Sequence, residues 1–432
     1  MNQSRFLPLM LMVAWSISCD CQDAAARPRG RQPRPSAELT KRDIPQDISP
    51  DLKVLIESTF SEDHEERRRA IRELGQMGPS AAAAVPFLVR TWAANPSLSD
   101  FDSLIALNKI GDAAAAAMIA KTKNSSVAAR PELIRGLGWC DTWRIREGVL
   151  PYFDDPNPAM RHAAVASLYN CNDPRVIGPL IRRLSDSAVE VREEAIRHFN
   201  EWPTAAAFDP LSALLNDVDP EVRWEAVGAI SRLKDPRLVP VLVDVLQKTF
   251  EVDRVRRRAA FYLSLSGDQR AVEPLLAVLN DSLCAASVRA MAAEGLAWLH
   301  AVRAIEPLVE VLKNRDEPTV LRASAAHALT DFKDPRAAEQ LLEAAKTEND
   351  PALRFWGAMG AATISGGAVC DDRIVTALRD YSERRDGYDL YYARKQLVLR
   401  MIVEKGKTES IRSAAIAADP LWPRRYDSLW GR

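Results

Sequence analysis

Seven arginines recur along this chain at nearly constant intervals. They are Arg161, Arg192, Arg223, Arg256, Arg289, Arg322 and Arg354, spaced 31, 31, 33, 33, 33 and 32 residues apart. A second, sparser column runs through Arg175, Arg237, Arg270, Arg303 and Arg336. Guanidinium groups in register can do one of two things. They can form an anion-binding track, or they can tie one structural repeat to the next by bridging carboxylates and loop carbonyls. Because their spacing follows the repeat itself, the ladder is the expected role.

The other chemistry-bearing residues show no such order. The five histidines, His64, His162, His198, His300 and His327, occupy unrelated positions in the repeat, so stacking is not expected to gather them. No CxxC spacing occurs among the six cysteines, which removes support for a structural zinc. Cys140 and Cys171 hold equivalent places in adjacent repeats. Stacked helices lie about 8–10 Å apart, too far for the Cα spacing of a disulfide, so buried free thiols are expected. The carboxylate pairs Asp154-Asp155 and Asp371-Asp372 sit at turns, where helix capping accounts for them. No Walker loop, GxSxG elbow or HExxH motif is present. Neither a metal nor a cofactor is expected, and no catalytic residue is assigned.

The elements that position these residues are paired helices. The phrase Asp219–Leu246, DPEVRWEAVGAISRLKDPRLVPVLVDVL, is paraphrased several times. Asp219 can cap a first helix with Pro220 in its first turn. Val222, Ala226, Ile230 and Leu233 then share one face. Asp235-Pro236-Arg237 forms an elbow. A second helix follows from Pro240, with Val241, Leu242, Val245 and Leu246 as its buried stripe. Each ladder arginine is followed three residues later by a small residue, from Ala164 through Ala325 to Gly357, which permits close approach between first helices. One such hairpin cannot bury its apolar face alone, so the stability must lie largely between repeats.

Aligned on the elbow, the second helices carry a polar stripe at i, i+4 and i+7. It reads Pro240, Asp244 and Gln247; Glu273, Ala277 and Asn280; Glu306, Glu310 and Lys313; Glu339, Glu343 and Lys346. This C-terminal stretch is expected to be acidic and to accept a basic protein segment, with Asp244, Glu273, Glu306, Glu310, Glu339 and Glu343 as the binding residues. The formal net charge is -1 and the basic runs Arg254–Arg258 and Glu66–Arg69 lack interleaved aromatics, so nucleic acid is not an expected partner. No small-molecule substrate is inferred.

These hairpins resemble HEAT-like repeats of the phycobilisome-lyase type, most specifically from about Asp155 to Tyr381 and more loosely back to Glu62. The resemblance implies an all-α fold: a right-handed α-α superhelix, a HEAT/armadillo-like solenoid of about ten hairpins whose second helices line the concave face. Deoxyhypusine hydroxylase is built from similar repeats and holds iron with repeated His-Glu pairs. Here only His64-Glu65 has that dipeptide, so that site is not carried over. No cysteine or tyrosine matches a bilin-handling motif of the phycobilin lyases either. The expected function is a non-catalytic protein-binding scaffold; the alternative is an enzyme or enzyme accessory of the lyase or hydroxylase type.

The ends read differently. Met1–Ile17 has one positive charge, Arg5, before a short apolar run, as in a secretory signal. Ser16-Ile17-Ser18-Cys19 resembles a bacterial lipobox, which implies acylation of Cys19 and a lipid anchor in a membrane; Ser16 stands where leucine is usual. A rival cleavage at Ala24-Ala25-Ala26 would release a soluble protein. Either way the chain is expected to be exported, to the periplasm or cell envelope. Ala26–Arg42 is rich in proline and arginine and reads as an extended tether. The expected organisation is a signal over 1–18, a disordered tether over 19–50, degenerate repeats over 51–155 and regular repeats over 156–381. A C-terminal cap helix and aromatic tail are expected over 382–432. In that tail Trp422, Arg424, Arg425, Tyr426 and Trp430 could cover the last core face or anchor a partner.

Overall fold

The computed structural model describes residues 39–94, 101–126, 129–138, 143–169, 171–368 and 372–382. Among them the secondary structure is α-helix and short 3-10 turns, with no strand. The helices are α1 (Pro50–Ser58), α2 (His64–Gln76), α3 (Val85–Ala94), α4 (Phe101–Ile110), α5 (Asp112–Lys123), α6 (Arg130–Leu137) and α7 (Trp143–Val149). Next come α8 (Pro158–Ala166), α9 (Pro174–Arg183), α10 (Val189–Glu201), α11 (Phe208–Ala213), α12 (Pro220–Arg232), α13 (Leu238–Gln247) and α14 (Asp253–Leu265). The last are α15 (Val272–Asn280), α16 (Ala286–Trp298), α17 (Ile305–Lys313), α18 (Thr319–Phe332), α19 (Ala338–Thr347), α20 (Pro351–Ile364) and α21 (Asp372–Ser382). They are an α-solenoid of stacked hairpins, grouped into two compact units, one within Pro33–Val241 and the other from Leu242 onward. This division falls inside α13.

In the N-terminal unit the first helices pack in sequence, α6 on α8, α8 on α10 and α10 on α12. In the C-terminal unit α14, α16, α18 and α20 do the same. Local chemistry explains where each begins. The Asp219 side chain accepts the Glu221 N–H at 2.7 Å, with Pro220 opening the helix. Asn157 and Asp350 cap α8 and α20 in the same way. Val222, Ala226 and Ile230 are fully buried, whereas Leu233, at the C-cap, is only half-buried. On α13 Leu242, Val245 and Leu246 are buried, and Val241 is partly exposed. Several second helices are entered through a 3-10 turn: Gln269–Ala271, Val302–Ala304 and Pro335–Ala337. Pro274 and Pro307 lie within the first turn of their helices, where a missing N–H breaks no helical bond.

The small residues after the ladder arginines do what close packing requires. Ala164, Ala195, Ala226, Ala259, Ala292 and Ala325 have no exposed surface. Gly357 goes further: a Cβ there would lie 2.6 Å from the Leu341 carbonyl oxygen and 2.7 Å from the Ala345 nitrogen, both on the backbone of α19. Gly357→Ala, which restores the residue used in the other copies, is therefore expected to destabilise. The helix-propensity gain of about 1 kcal/mol is outweighed by overpacking of about 1–3 kcal/mol. A urea midpoint above that of the parent would show that α19 yields at no cost.

Residues 39–50, within the span read as a tether, are described and hold local structure. Thr40 accepts the Arg42 N–H, Asp43 accepts the Thr40 N–H at 2.7 Å, and Ile44 is 2% exposed. The composition of this segment hid one apolar residue with a core site to fill. Cys171 and Cys284 are buried free thiols, and burial pushes the Cys284 thiol above its ordinary pKa. Cys19, Cys21, Cys140, Cys370 and the aromatic tail lie outside the described residues. Among the described residues no helix is long and apolar enough to cross a membrane.

Candidate functional site

The first arginine column forms a hydrogen-bonded ladder inside each unit. Arg161 on α8 donates from Nε and Nη2 to the two carboxylate oxygens of Asp186 at 2.8 and 2.7 Å. Its Nη1 donates to the Asp155 carbonyl at 2.9 Å, in the loop before its own helix. Arg192 repeats the pattern one rung on, from Nη1 to the Asp186 carbonyl at 2.8 Å and from Nη2 to the Asp217 carboxylate at 2.7 Å. Arg223 then donates to the Asp217 carbonyl at 2.7 Å. Each loop aspartate thus takes one arginine on its side chain and the next on its backbone. Burial alone would raise the Asp186 pKa. The hydrogen bonds from Arg161 and the Ala188 N–H, with the Arg161 and Arg183 charges, outweigh it and hold the carboxyl below its ordinary range.

The C-terminal unit uses a different acceptor. Arg256, Arg289 and Arg322 donate from Nε to the carbonyls of Leu246, Leu279 and Leu312 at 3.0, 2.9 and 3.1 Å. These carbonyls belong to the last turns of α13, α15 and α17, where no intrahelical donor remains and the helix dipole favours a cation. Arg289 also grips Glu317 with two bonds of 2.7 Å, and Arg322 grips Glu348 at 2.6 and 3.2 Å. Arg161, Arg192, Arg256, Arg289 and Arg322 are buried, with their guanidinium groups bonded inside the protein, so they are not an open anion track. Arg354, on α20, is half-buried.

The polar stripe lies at the surface of the C-terminal unit. Asp244 on α13, Glu273 on α15, Glu306 and Glu310 on α17, and Glu339 and Glu343 on α19 are all exposed. The opposite faces of the last three helices bury Leu275 and Leu279, Leu308 and Leu312, and Leu341 and Ala345. The face is not uniformly acidic, because cations stand beside most of the acids. Asp244 pairs with Lys248 at 3.1 Å, Glu310 with Lys313 at 3.2 Å, and Glu343 lies 3.9 Å from Arg315.

The elbow column supplies the remaining cations, a link the sequence reading missed. Arg303 reaches back one repeat to Glu273 at 2.5 Å, and Arg336 to Glu306 at 3.1 Å. In the N-terminal unit Arg237 meets Asp209 at 2.8 Å in the same manner. Laying the elbow arginines beside the stripe acids at an offset of one repeat would have shown it. Most elbow arginines also fold back on their own aspartate, as Arg336 does on Asp334 at 2.9 and 3.0 Å. That side-chain hydrogen bond, with the Arg336 backbone N–H, holds Asp334 down to about 2. Exposed pairs of this kind are screened by water and contribute little, so a partner can exchange them at little cost.

Stacking brings one histidine to an acid of the next repeat. His162 Nε2 on α8 lies 3.6 Å from the Glu194 carboxylate on α10, which also accepts from Arg197. His198 follows Glu194 by one helical turn and is 3% exposed. Burial drives its pKa down to about 4, against the opposing influence of the Leu168 backbone and the Glu194 charge. The period-of-four relation within α10 brings Glu194 and His198 together, and the one-repeat offset brings His162. Of the others, His64 is exposed beside Glu65, His300 adopts a left-handed backbone (φ 53), and His327 stacks on Trp356 with ring centroids 4.0 Å apart. Among the described residues no group of three or more His, Cys, Asp or Glu is arranged to hold a metal ion.

The stacked hairpins, the arginine ladder between them and the exposed second-helix face define a HEAT solenoid. The family model for HEAT repeats matches residues 115–197, 179–254, 251–324 and 284–362, more than half of the chain. The chain belongs to the HEAT-repeat family. Among solved structures it is similar to Kap95p in its assembly with RanGDP, with a TM-score of 0.57 and 13% identity over 85% of this chain and 55% of that one. Kap95 in the Kap95:Nup1 complex gives 0.57 and 12%, over 87% and 57%. A Kap121p mutant gives 0.53 and 13%, over 84% and 47%. The chain spans about half the length of these proteins, and the likeness is one of fold. No curated protein gives a significant match.

Proposed function

We propose that this chain is a non-catalytic protein-binding scaffold that holds a basic segment of its partner on the exposed face of α15, α17 and α19. The observation that carries the reading is the recurrence of surface acids at the repeat spacing: Glu273, Glu306 and Glu339, then Glu310 and Glu343. Neighbouring repeats set such rows about 10 Å apart, so lysines or arginines along an extended partner segment can meet several in turn. They do so by replacing Arg303, Arg336 and Arg315 in weak surface pairs. Kap95p, which shares the fold, is seen with the protein partners RanGDP and Nup1, an instance of protein binding on a scaffold of this kind.

The test is capture by crosslinking in intact cells, followed by mass spectrometry. Replacing Glu306, Glu310, Glu339 and Glu343 together by Gln is expected to reduce partner capture about tenfold or more with an unchanged melting temperature, since all four are exposed. Undiminished capture of every partner would contradict it. We also propose, from the N-terminal sequence, export and a lipid anchor at Cys19. The mass of the mature N-terminus reports it directly: an acylated Cys19 supports the anchor, and a start beyond Ala26 rejects it.

A further inference from the structure

Two loops of the C-terminal unit expose apolar side chains for which the fold has no use. Phe250 is 85% exposed and Leu283 is 95% exposed. Each stands six residues before its ladder arginine, Arg256 or Arg289. The equivalent positions before Arg161, Arg192, Arg223 and Arg322 hold Asp155, Asp186, Asp217 and Asp316. Where most copies place a loop aspartate, these two adjacent copies place a large apolar residue facing water. Val252, 39% exposed, extends the same edge. The loops precede α14 and α16, which pack side by side, so the apolar tips share one edge of the stack.

The charge beside these tips says what would cover them. Arg254 and Arg257, in the first two turns of α14, are exposed. Asp253 is the exposed acid beside them, and Asp281, whose side chain accepts the Leu283 N–H, is half-buried. Projecting apolar residues with guanidinium groups around them match the interface of an anionic bilayer, where rings and methyl groups enter the acyl boundary and arginines reach phosphate. We propose that this edge of the C-terminal unit binds an anionic membrane surface directly through Phe250, Val252 and Leu283, with Arg254 and Arg257 as the electrostatic component. The proposal does not depend on acylation of Cys19 or on the acids of the second helices.

Flotation with vesicles tests it, using the full chain carrying Cys19→Ser so that no acyl anchor can form. The parent is expected to bind phosphatidylcholine vesicles containing roughly one third phosphatidylglycerol, and to bind pure phosphatidylcholine weakly. Phe250→Glu with Leu283→Glu should weaken binding about tenfold or more, and Arg254→Gln with Arg257→Gln several-fold, with a shallower salt dependence. Because these side chains are exposed, melting temperatures should not move. The four-fold glutamate-to-glutamine variant should bind vesicles like the parent, which separates this proposal from the partner-binding face. Equal vesicle binding by the parent and the Phe250/Leu283 variant would overturn it. So would loss of a dimer, seen by light scattering, with vesicle binding intact; the edge would then be a contact between copies of the chain.

Discussion

Asp186→Ala is expected to lower the stability of the N-terminal unit by about 3–5 kcal/mol, the largest effect of any single polar substitution considered. The side chain of Asp186 is 2% exposed and accepts from Arg161 twice, from Arg183 at 3.0 Å and from the Ala188 N–H at 2.9 Å. Its removal leaves the Arg161 guanidinium without its carboxylate, whereas Arg183 keeps Asp154 at 3.1 Å. The Arg161 side chain is 10% exposed, so it cannot swing out without disturbing the loop before α8. Asp186→Asn, which keeps the shape and one acceptor, should cost less. Urea unfolding measures both. A change below about 1 kcal/mol for the alanine variant would show that solvent replaces the carboxylate and that the rungs do not bind repeats together.

The second large effect is a dependence of stability on pH that originates at His198. An unfolded histidine takes up a proton near 6.5, whereas burial holds native His198 at about 4. Between those values the unfolded chain binds the proton and the native chain does not. Stability is therefore intact above pH 6.5 and falls as the pH is lowered toward 4, by about 3 kcal/mol over the whole interval. Glu194, the neighbouring acid, works in a lower window. Burial would raise its pKa, but the His162 and Arg197 contacts keep it below the ordinary value, so its contribution is lost only under more acidic conditions. Glu294 and Glu193, whose pKa values burial raises, act in the opposite sense as the pH falls, so His198 is read from the difference between the parent and a variant lacking it. From pH 7 to pH 5 the parent should lose about 2 kcal/mol more than His198→Leu, read from urea midpoints. Equal slopes in the two proteins would assign the loss to other groups.

What could be read from the sequence was what depends on local chemistry and on period. Asp219 and Pro220 announce a helix start because capping needs only neighbouring residues, and α12 begins there. The rows of buried alanines follow from a spacing that repetition makes visible. The stripe acids were placed on the exposed face of the second helices because a 3.6-residue period fixes which side faces out. The ladder partners were harder. Asp186, Asp217, Glu317 and Glu348 lie 25 to 28 residues beyond the arginines they bind, and nothing short of the stacked geometry pairs them. Separations of 30 to 32 residues likewise hid Arg303 and Arg336 beside Glu273 and Glu306, and His162 beside Glu194. Gly357 looks like a relaxed copy of an alanine, yet α19 approaches too closely for a Cβ. Phe250 and Leu283 looked like ordinary hydrophobic residues, because a sequence does not show which apolar side chains are left over once the core is full.

The most direct measurement of partner binding on the second-helix face places a photo-crosslinking side chain at Glu306 or Glu339 in the full chain, in intact cells. Arg257, on a first helix, serves as the reference position. The expected result is one protein captured from both Glu306 and Glu339, with its crosslinked peptide rich in lysine or arginine, and not captured from Arg257. Capture of that protein from Arg257 alone, or of nothing from either acid position, would contradict a scaffold that binds through α17 and α19.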